Sequence, residues 1–252
     1  MEKLAQKVAV ITGGARGIGK QIALTFAGAG ADIVIGDIIE METVAQDIKS
    51  LGREVITIKT DVTSKAEVQN LIHTAVSNFN KVDILVNNAG ITRRASFMEL
   101  TEDDWNAVID VNLKGAFLCI QATAEHMIKR KYGKIINIAS VAGLNAVYVS
   151  ANYCVSKAGV IQLAKVCARE LGPYGINVNA IAPGVVLTDI VYYQRTQAEV
   201  ERYVEDREKW AVLGRVGTVE DIANVALFLA SDESSFITGQ AIAADGGRTG
   251  LM

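Results

Sequence analysis

A doubly wound α/β fold, with a parallel sheet covered by helices on both faces, is what this chain predicts, and three observations carry the prediction. Short β-branched runs recur along the 252 residues with longer amphipathic stretches between them, the alternation expected of parallel strands joined by helices. The runs are mostly continuous rather than alternating in polarity, as strands buried on both faces are. The first run leads into a glycine-rich turn that opens a helix.

The runs are VAVIT at 8–12, DIVIGD at 32–37, EVITIK at 54–59, DILVNN at 83–88, KIINIA at 134–139 and INVNAIA at 176–182. Half of the positions are hydrophobic and only two prolines occur, neither marking a linker, so residues 1–252 read as one domain. The stretch 185–217 breaks the rhythm. It is polar, aromatic-bearing and helix-prone, which makes it the candidate flap over a ligand.

With 25 Lys plus Arg against 28 Asp plus Glu and a net charge of −3, the chain has no general attraction for nucleic acid or an anionic membrane. No segment reads as a signal peptide or a membrane span, so a cytoplasmic protein is expected. Cys119, Cys154 and Cys167 lack CxxC spacing and read as buried reduced thiols. His73 and His126 stand alone, which leaves little material for a metal site, and none is expected.

The turn reads TGGARGIGKQIA, with Gly13, Gly17 and Gly19 spaced GxxxGxG and with Arg16 and Ile18 between them. Gly13 suits a tight turn, Gly17 close backbone approach and Gly19 close packing of helix on strand, while the helix N-terminus favours a pyrophosphate. A structural αL turn is the alternative. Asp37 closes the second run, where a carboxylate accepts from ribose hydroxyls and repels a 2′-phosphate. The pair of features points to a dinucleotide, NAD rather than NADP, although Arg16 is able to pair with a 2′-phosphate.

Asp61 and Val62 follow the third run, with Asp61 suited either to the adenine amino group or to capping the helix before Lys65. Asn88, Ala89 and Gly90 are small enough to lie against a cofactor or simply to form a turn.

Tyr153 and Lys157 are spaced i, i+4 in a helical segment, so they share one face. An unperturbed tyrosine titrates near ~10, and a neighbouring ammonium favours its phenolate, which suits acid/base work. An exposed surface pair is the alternative. Against it, Ser140 closes the fifth run at the carboxyl end, where open α/β sheets bind ligands.

Together TGGARGIG, NNAG, Ser140, YCVSK and the pair Pro183–Gly184 resemble the short-chain dehydrogenase/reductase family in its compact, Rossmann-type form, in order and spacing over nearly the whole chain. The resemblance implies that Tyr153 exchanges the proton, Lys157 lowers its pKa and binds the nicotinamide ribose, Ser140 steadies the substrate oxygen and Asn112 supports a proton-relay water. It places Val186 and Thr188 against the nicotinamide carboxamide. Asn112 could instead satisfy backbone at a kink, and Thr188 could cap a flap helix beside Asp189.

The resemblance also implies interconversion of a small secondary alcohol and a ketone by a homotetramer, and with the NAD preference read from Asp37 the reaction expected is NAD(H)-linked. An NADPH-dependent 3-oxoacyl-thioester reductase is second, and a non-catalytic dinucleotide-binding protein third. Substrate contacts are expected from the flap, from Leu144, Asn145 and Val147, and from the loop after Gly90. Arg93 and Arg94 suit either an acidic substrate or solvent, and Tyr192, Tyr193 and Trp210 suit either a pocket or packing. The basic stretch 126–133 reads as a helix C-terminus complementing its dipole.

Overall fold

The computed structural model describes residues 2–249. Seven strands form one parallel sheet: β1 (Val8–Thr12), β2 (Asp32–Asp37), β3 (Val55–Lys59), β4 (Ile84–Asn87), β5 (Gly133–Ile138), β6 (Ile176–Pro183) and β7 (Ala241–Ala244), in the order β3-β2-β1-β4-β5-β6-β7. The fold class is the expected one. Central β1 is buried at every position, whereas β3, with a neighbour on one side only, is half-exposed along its length.

The chain winds from β1 to β2 and β3 on one side and to β4 through β7 on the other. The crevice at that reversal, above the carboxyl ends of β1 and β4, is where open sheets of this kind take ligands.

On one face α1 (Gly17–Gly28) packs on α9 (Val219–Ala230) beside α2 (Glu42–Ser50), with Phe26, Ile22, Ile222 and Leu229 in one buried cluster. The other face carries α3 (Lys65–Phe79), α4 (Glu102–Ile109), α5 (Gly115–Arg130) and α6 (Ala151–Leu171), which close over Leu71, Leu85, Met127 and Val160. The 185–217 stretch forms α7 (Asp189–Tyr192) and α8 (Gln197–Trp210), anchored where Val186 bridges to Gly217.

Two expectations need correction. The helical run Glu102–Arg130 is by length and composition apolar enough to cross a membrane, contrary to the sequence reading, because α4 and α5 join through a π turn at Asp110–Lys114; half of its apolar window is buried inside the fold. Of the cysteines only Cys119 is buried, where burial pushes its thiol up to about 12, while Cys154 and Cys167 are half-buried. In the basic stretch Lys129 and Arg130 do fill the last turn of α5, and Arg130 reaches the buried Asp83 carboxylate at 2.7 Å.

Candidate active site

The turn after β1 is built by backbone and glycine. Gly13 and Gly17 have φ of 64° and 55°, a region that disfavours other residues. A Cβ on Gly13 would stand 2.8 Å from the Ala89 backbone, and one on Gly19 would stand 2.1 Å from the Gly13 carbonyl oxygen. Gly19 therefore lets α1 approach the turn itself. Asn88 donates through its side chain to the carbonyls of Thr12 (3.1 Å) and Gly13 (2.7 Å), and the Thr12 hydroxyl accepts from the N–H groups of Asn88 and Ala89. The Asn88 amide thus shapes the turn, leaving Ala89 and Gly90 to face the crevice.

Asp37 stands at the end of β2 with its carboxylate accepting from the N–H groups of Ala15 (3.0 Å), Ile38 (2.7 Å) and Ile39 (3.3 Å). Asp61 accepts from the Thr63 N–H and hydroxyl at 2.9 and 2.8 Å. The cap of α3 is Ser64, not Asp61, because Ser64 is the residue whose hydroxyl meets the Glu67 N–H. Arg16 heads α1 and forms an ion pair with Asp189 at the start of α7, which ties the turn to the helical insert.

Gly13, Arg16, Gly17, Ile18, Asp37, Asp61, Val62, Asn88, Ala89, Gly90 and Thr188 line a cavity of about 380 Å³. A second cavity, of about 330 Å³, shares Ile18, Asn88, Gly90 and Thr188 with the first and adds Ser140, Tyr153, Lys157, Pro183, Gly184 and Val186. Amide-lined turn, helix N-terminus and distal carboxylate on one side, with a lysine at the junction, fit an elongated dinucleotide bearing a central pyrophosphate. Gly90 keeps that junction open, since a Cβ there would meet Asn112 Oδ1 at 3.3 Å and Lys157 Nζ at 3.4 Å. Thr188 sits at the head of α7 without capping it through its side chain; its methyl faces Gly17.

Ser140 closes β5 and its hydroxyl accepts from the Ala142 N–H at 3.1 Å. Tyr153 lies in the first turn of α6. Lys157, one turn on, is buried, donates to the Ile138 carbonyl at 2.8 Å and stands 5.7 Å from the Tyr153 ring centroid.

Burial pushes the Tyr153 phenol up to about 12, against the opposing pull of the Ser140 hydroxyl, and lowers the Lys157 ammonium to about 8. Enclosure is the largest cause of both shifts, because each group is removed from water.

Asn112 lies in the π turn, buried, with Oδ1 accepting from the Ile91 N–H (2.8 Å) and Nδ2 donating to the Ile91 carbonyl and to Ser156 Oγ, both at 3.0 Å. Both amide hydrogens are spent. Ser156 in turn donates to the Tyr153 carbonyl at 2.8 Å, so Asn112 braces the turn of α6 that carries Tyr153. The sequence reading missed Ser156.

Above Tyr153 the second cavity is roofed by α7, α8 and the segment after β7. Val147 lines it, while Leu144 and Asn145 do not. Arg93 is satisfied by Asp104 at 3.6 Å and by the Tyr193 ring, whereas Arg94 lines the cavity. Tyr203, Arg195, Arg207 and Arg248 line it too and were not singled out from sequence. The available signal was the i, i+4, i+7 stripe Tyr203, Arg207, Trp210 along α8. Trp210 packs against the guanidiniums of Arg207 and Arg248, and Tyr192 is exposed.

A family model described as enoyl-(acyl carrier protein) reductase matches residues 13–249. The chain is 42% identical over 247 residues to the 3-oxoacyl-(acyl-carrier-protein) reductase FabG of Thermotoga maritima, covering 97% of this chain and 98% of the relative. It is 40% identical, covering 98% of both, to a hydroxy(phenyl)methylsuccinyl-CoA dehydrogenase subunit, BbsD, of Thauera aromatica. Among solved structures, a short-chain type dehydrogenase/reductase from Mycobacterium marinum superposes with a TM-score of 0.92 at 34% identity, covering 98% of this chain and 97% of that one.

Proposed function

The chain belongs to the short-chain dehydrogenase/reductase family, and from that premise we propose that it interconverts 3-oxoacyl and 3-hydroxyacyl thioesters with NAD(H). The observation that carries the reading is the junction of the two cavities, with Lys157 and Gly90 between the glycine turn and Tyr153. The sequence ranked a general secondary alcohol first and the thioester second. The relatives' names favour the second: one acts on a 3-oxoacyl group on a carrier protein and another on a hydroxylated acyl-CoA. A 3-hydroxyacyl thioester is itself a secondary alcohol, so the chemistry is retained and the substrate class narrows.

In this reading the nicotinamide, when bound, accepts or supplies the hydride. Tyr153 gives its phenolic proton to the carbonyl oxygen during reduction and takes it back during oxidation. Ser140 orients that oxygen. Lys157, held by the Ile138 carbonyl, offers a positive group to the ribose and to the phenolate that forms, and Asn112 fixes the Tyr153 turn through Ser156. Asp37 disfavours a 2′-phosphate by charge repulsion, which separates this proposal from the NADPH-dependent alternative. A homotetramer is proposed with the family.

The test is a comparison of NADH with NADPH on 3-oxobutanoyl-coenzyme A, in wild type and in Asp37→Ser. The proposal expects NADH to be preferred by at least ~10-fold and that preference to fall in the variant. Preference for NADPH in wild type would overturn the role given to Asp37, and turnover confined to non-thioester alcohols would overturn the substrate class.

A further inference from the structure

Four arginines, Arg94, Arg195, Arg207 and Arg248, converge on the chamber above Tyr153. Arg195 lies 4.4 Å from the Tyr203 ring centroid, Arg207 lies 4.8 Å from the same ring and 5.0 Å from Trp210, and Arg248 lies 5.3 Å from Trp210. The result is an alternating ladder of guanidinium and aromatic groups, and Arg94 lines the same chamber. By contrast Arg53, Arg93, Arg130 and Arg215 each meet an Asp.

Among the described residues none of these four arginines has an ion-pair partner, and Arg207 Nε is buried with nothing to donate to. The nearest acids, Glu199 and Asp245, form no ion pair with them and accept bonds from their own loops. Glu199 accepts from the Thr196 N–H and hydroxyl at 2.7 and 2.9 Å, and Asp245 accepts from Gly247 and from the Thr249 N–H and hydroxyl.

Gathering like charges in a half-enclosed space is unfavourable unless an anion completes it. Burial and the neighbouring guanidiniums lower both Arg195 and Arg248, with Tyr203, Glu199 and Asp245 opposing in part. The phosphates of a dinucleotide do not answer it, because their seat is the head of α1, in the other cavity. Nor does the phosphate of a pantetheine arm, which stands many bonds from a reacting C3. Tyr203, the rung between Arg195 and Arg207, lines the same cavity as Tyr153, so the anion sits close to the reaction.

We propose that the substrate carries a carboxylate on its acyl portion, a few bonds from the reacting carbon, held by Arg195, Arg207 and Arg248 with Arg94 at the rim. This rests on Tyr153 marking the reacting carbon but not on the thioester. Bidentate guanidinium donors suit a planar carboxylate, and the aromatic rungs hold them ready.

Two near-isosteric substrates, 3-oxoadipoyl-coenzyme A and 3-oxohexanoyl-coenzyme A, differ in a terminal carboxylate. The expected result is a kcat/KM at least ~10-fold higher for the carboxylate, carried by KM, with the ratio collapsing toward unity in the double variant Arg195→Met/Arg207→Met. Equal rates in wild type, or a ratio that survives in the variant, would overturn the proposal. Independently of turnover, hexanoate but not hexanamide should raise the melting temperature of the NAD⁺-bound protein, and the double variant should lose that protection. No protection by hexanoate in wild type overturns the proposal. Protection with neither thioester turned over sinks the thioester reading and leaves the carboxylate site standing.

Discussion

Around the turn after β1 the shaping is done by backbone: two glycines at positive φ, a third with no room for a methyl group, and an Asn and a Thr whose side chains bond only to main chain. Across the crevice, over Tyr153, the shaping is done by side chains that arrive from separate stretches of sequence, residues 94, 195–210 and 248. The first region offers backbone amides and leaves almost no room for added side chains, whereas the second offers long, half-buried cations.

The comparison breaks most sharply at Gly19. A Cβ there meets a backbone oxygen at 2.1 Å, which no rotamer relieves. Gly19→Ala is expected to cost about 3 kcal/mol of stability and to abolish dinucleotide binding, read by denaturant melts and by titration with NADH. Exchanges of arginine in α8, by comparison, should leave that titration unchanged.

At Lys157 the two regions meet, and function and stability should part. Its folded pKa of about 8 lies below the ordinary 10.5. Between those values the unfolded chain holds more protons, so the wild type should gain stability as pH rises from 8 to 10.5. Lys157→Met should lose nearly all turnover, yet be more stable at pH 7 by on the order of 1 kcal/mol after the Ile138 carbonyl loses its donor, and it should lack that pH slope. Melting curves across the window check both points.

The smallest expected effect is at Arg16. Its pair with Asp189 links the regions but both side chains are largely exposed. Arg16→Ala should change stability by less than about 1 kcal/mol. Its KM for NADH should move less than ~threefold, and a larger change would mean that the turn depends on the helical insert.

The same contrast governs what the sequence could show. Six of the seven strands were legible as β-branched runs, while β7, a short half-exposed AIAA, was not among them, and the glycine turn, Ser140, Tyr153 and Lys157 were legible because each lies in a local pattern of fixed spacing. The π turn at Asn112 was legible only as a possible kink. The rise of the Tyr153 pKa was not, because enclosure by Val147, Tyr203 and the segment after β7 is a property of the folded chamber. Nor was the arginine ladder, since its rungs are far apart in the chain and its missing carboxylates show only when every neighbour is in place.

The most direct test of the account is Tyr153→Phe, assayed for 3-oxobutanoyl-coenzyme A reduction alongside NADH titration. The account predicts a fall in kcat of at least ~10³-fold with NADH affinity within about threefold of wild type, because the phenol moves the proton and the glycine turn holds the nucleotide. Retention of more than a tenth of wild-type turnover would contradict it.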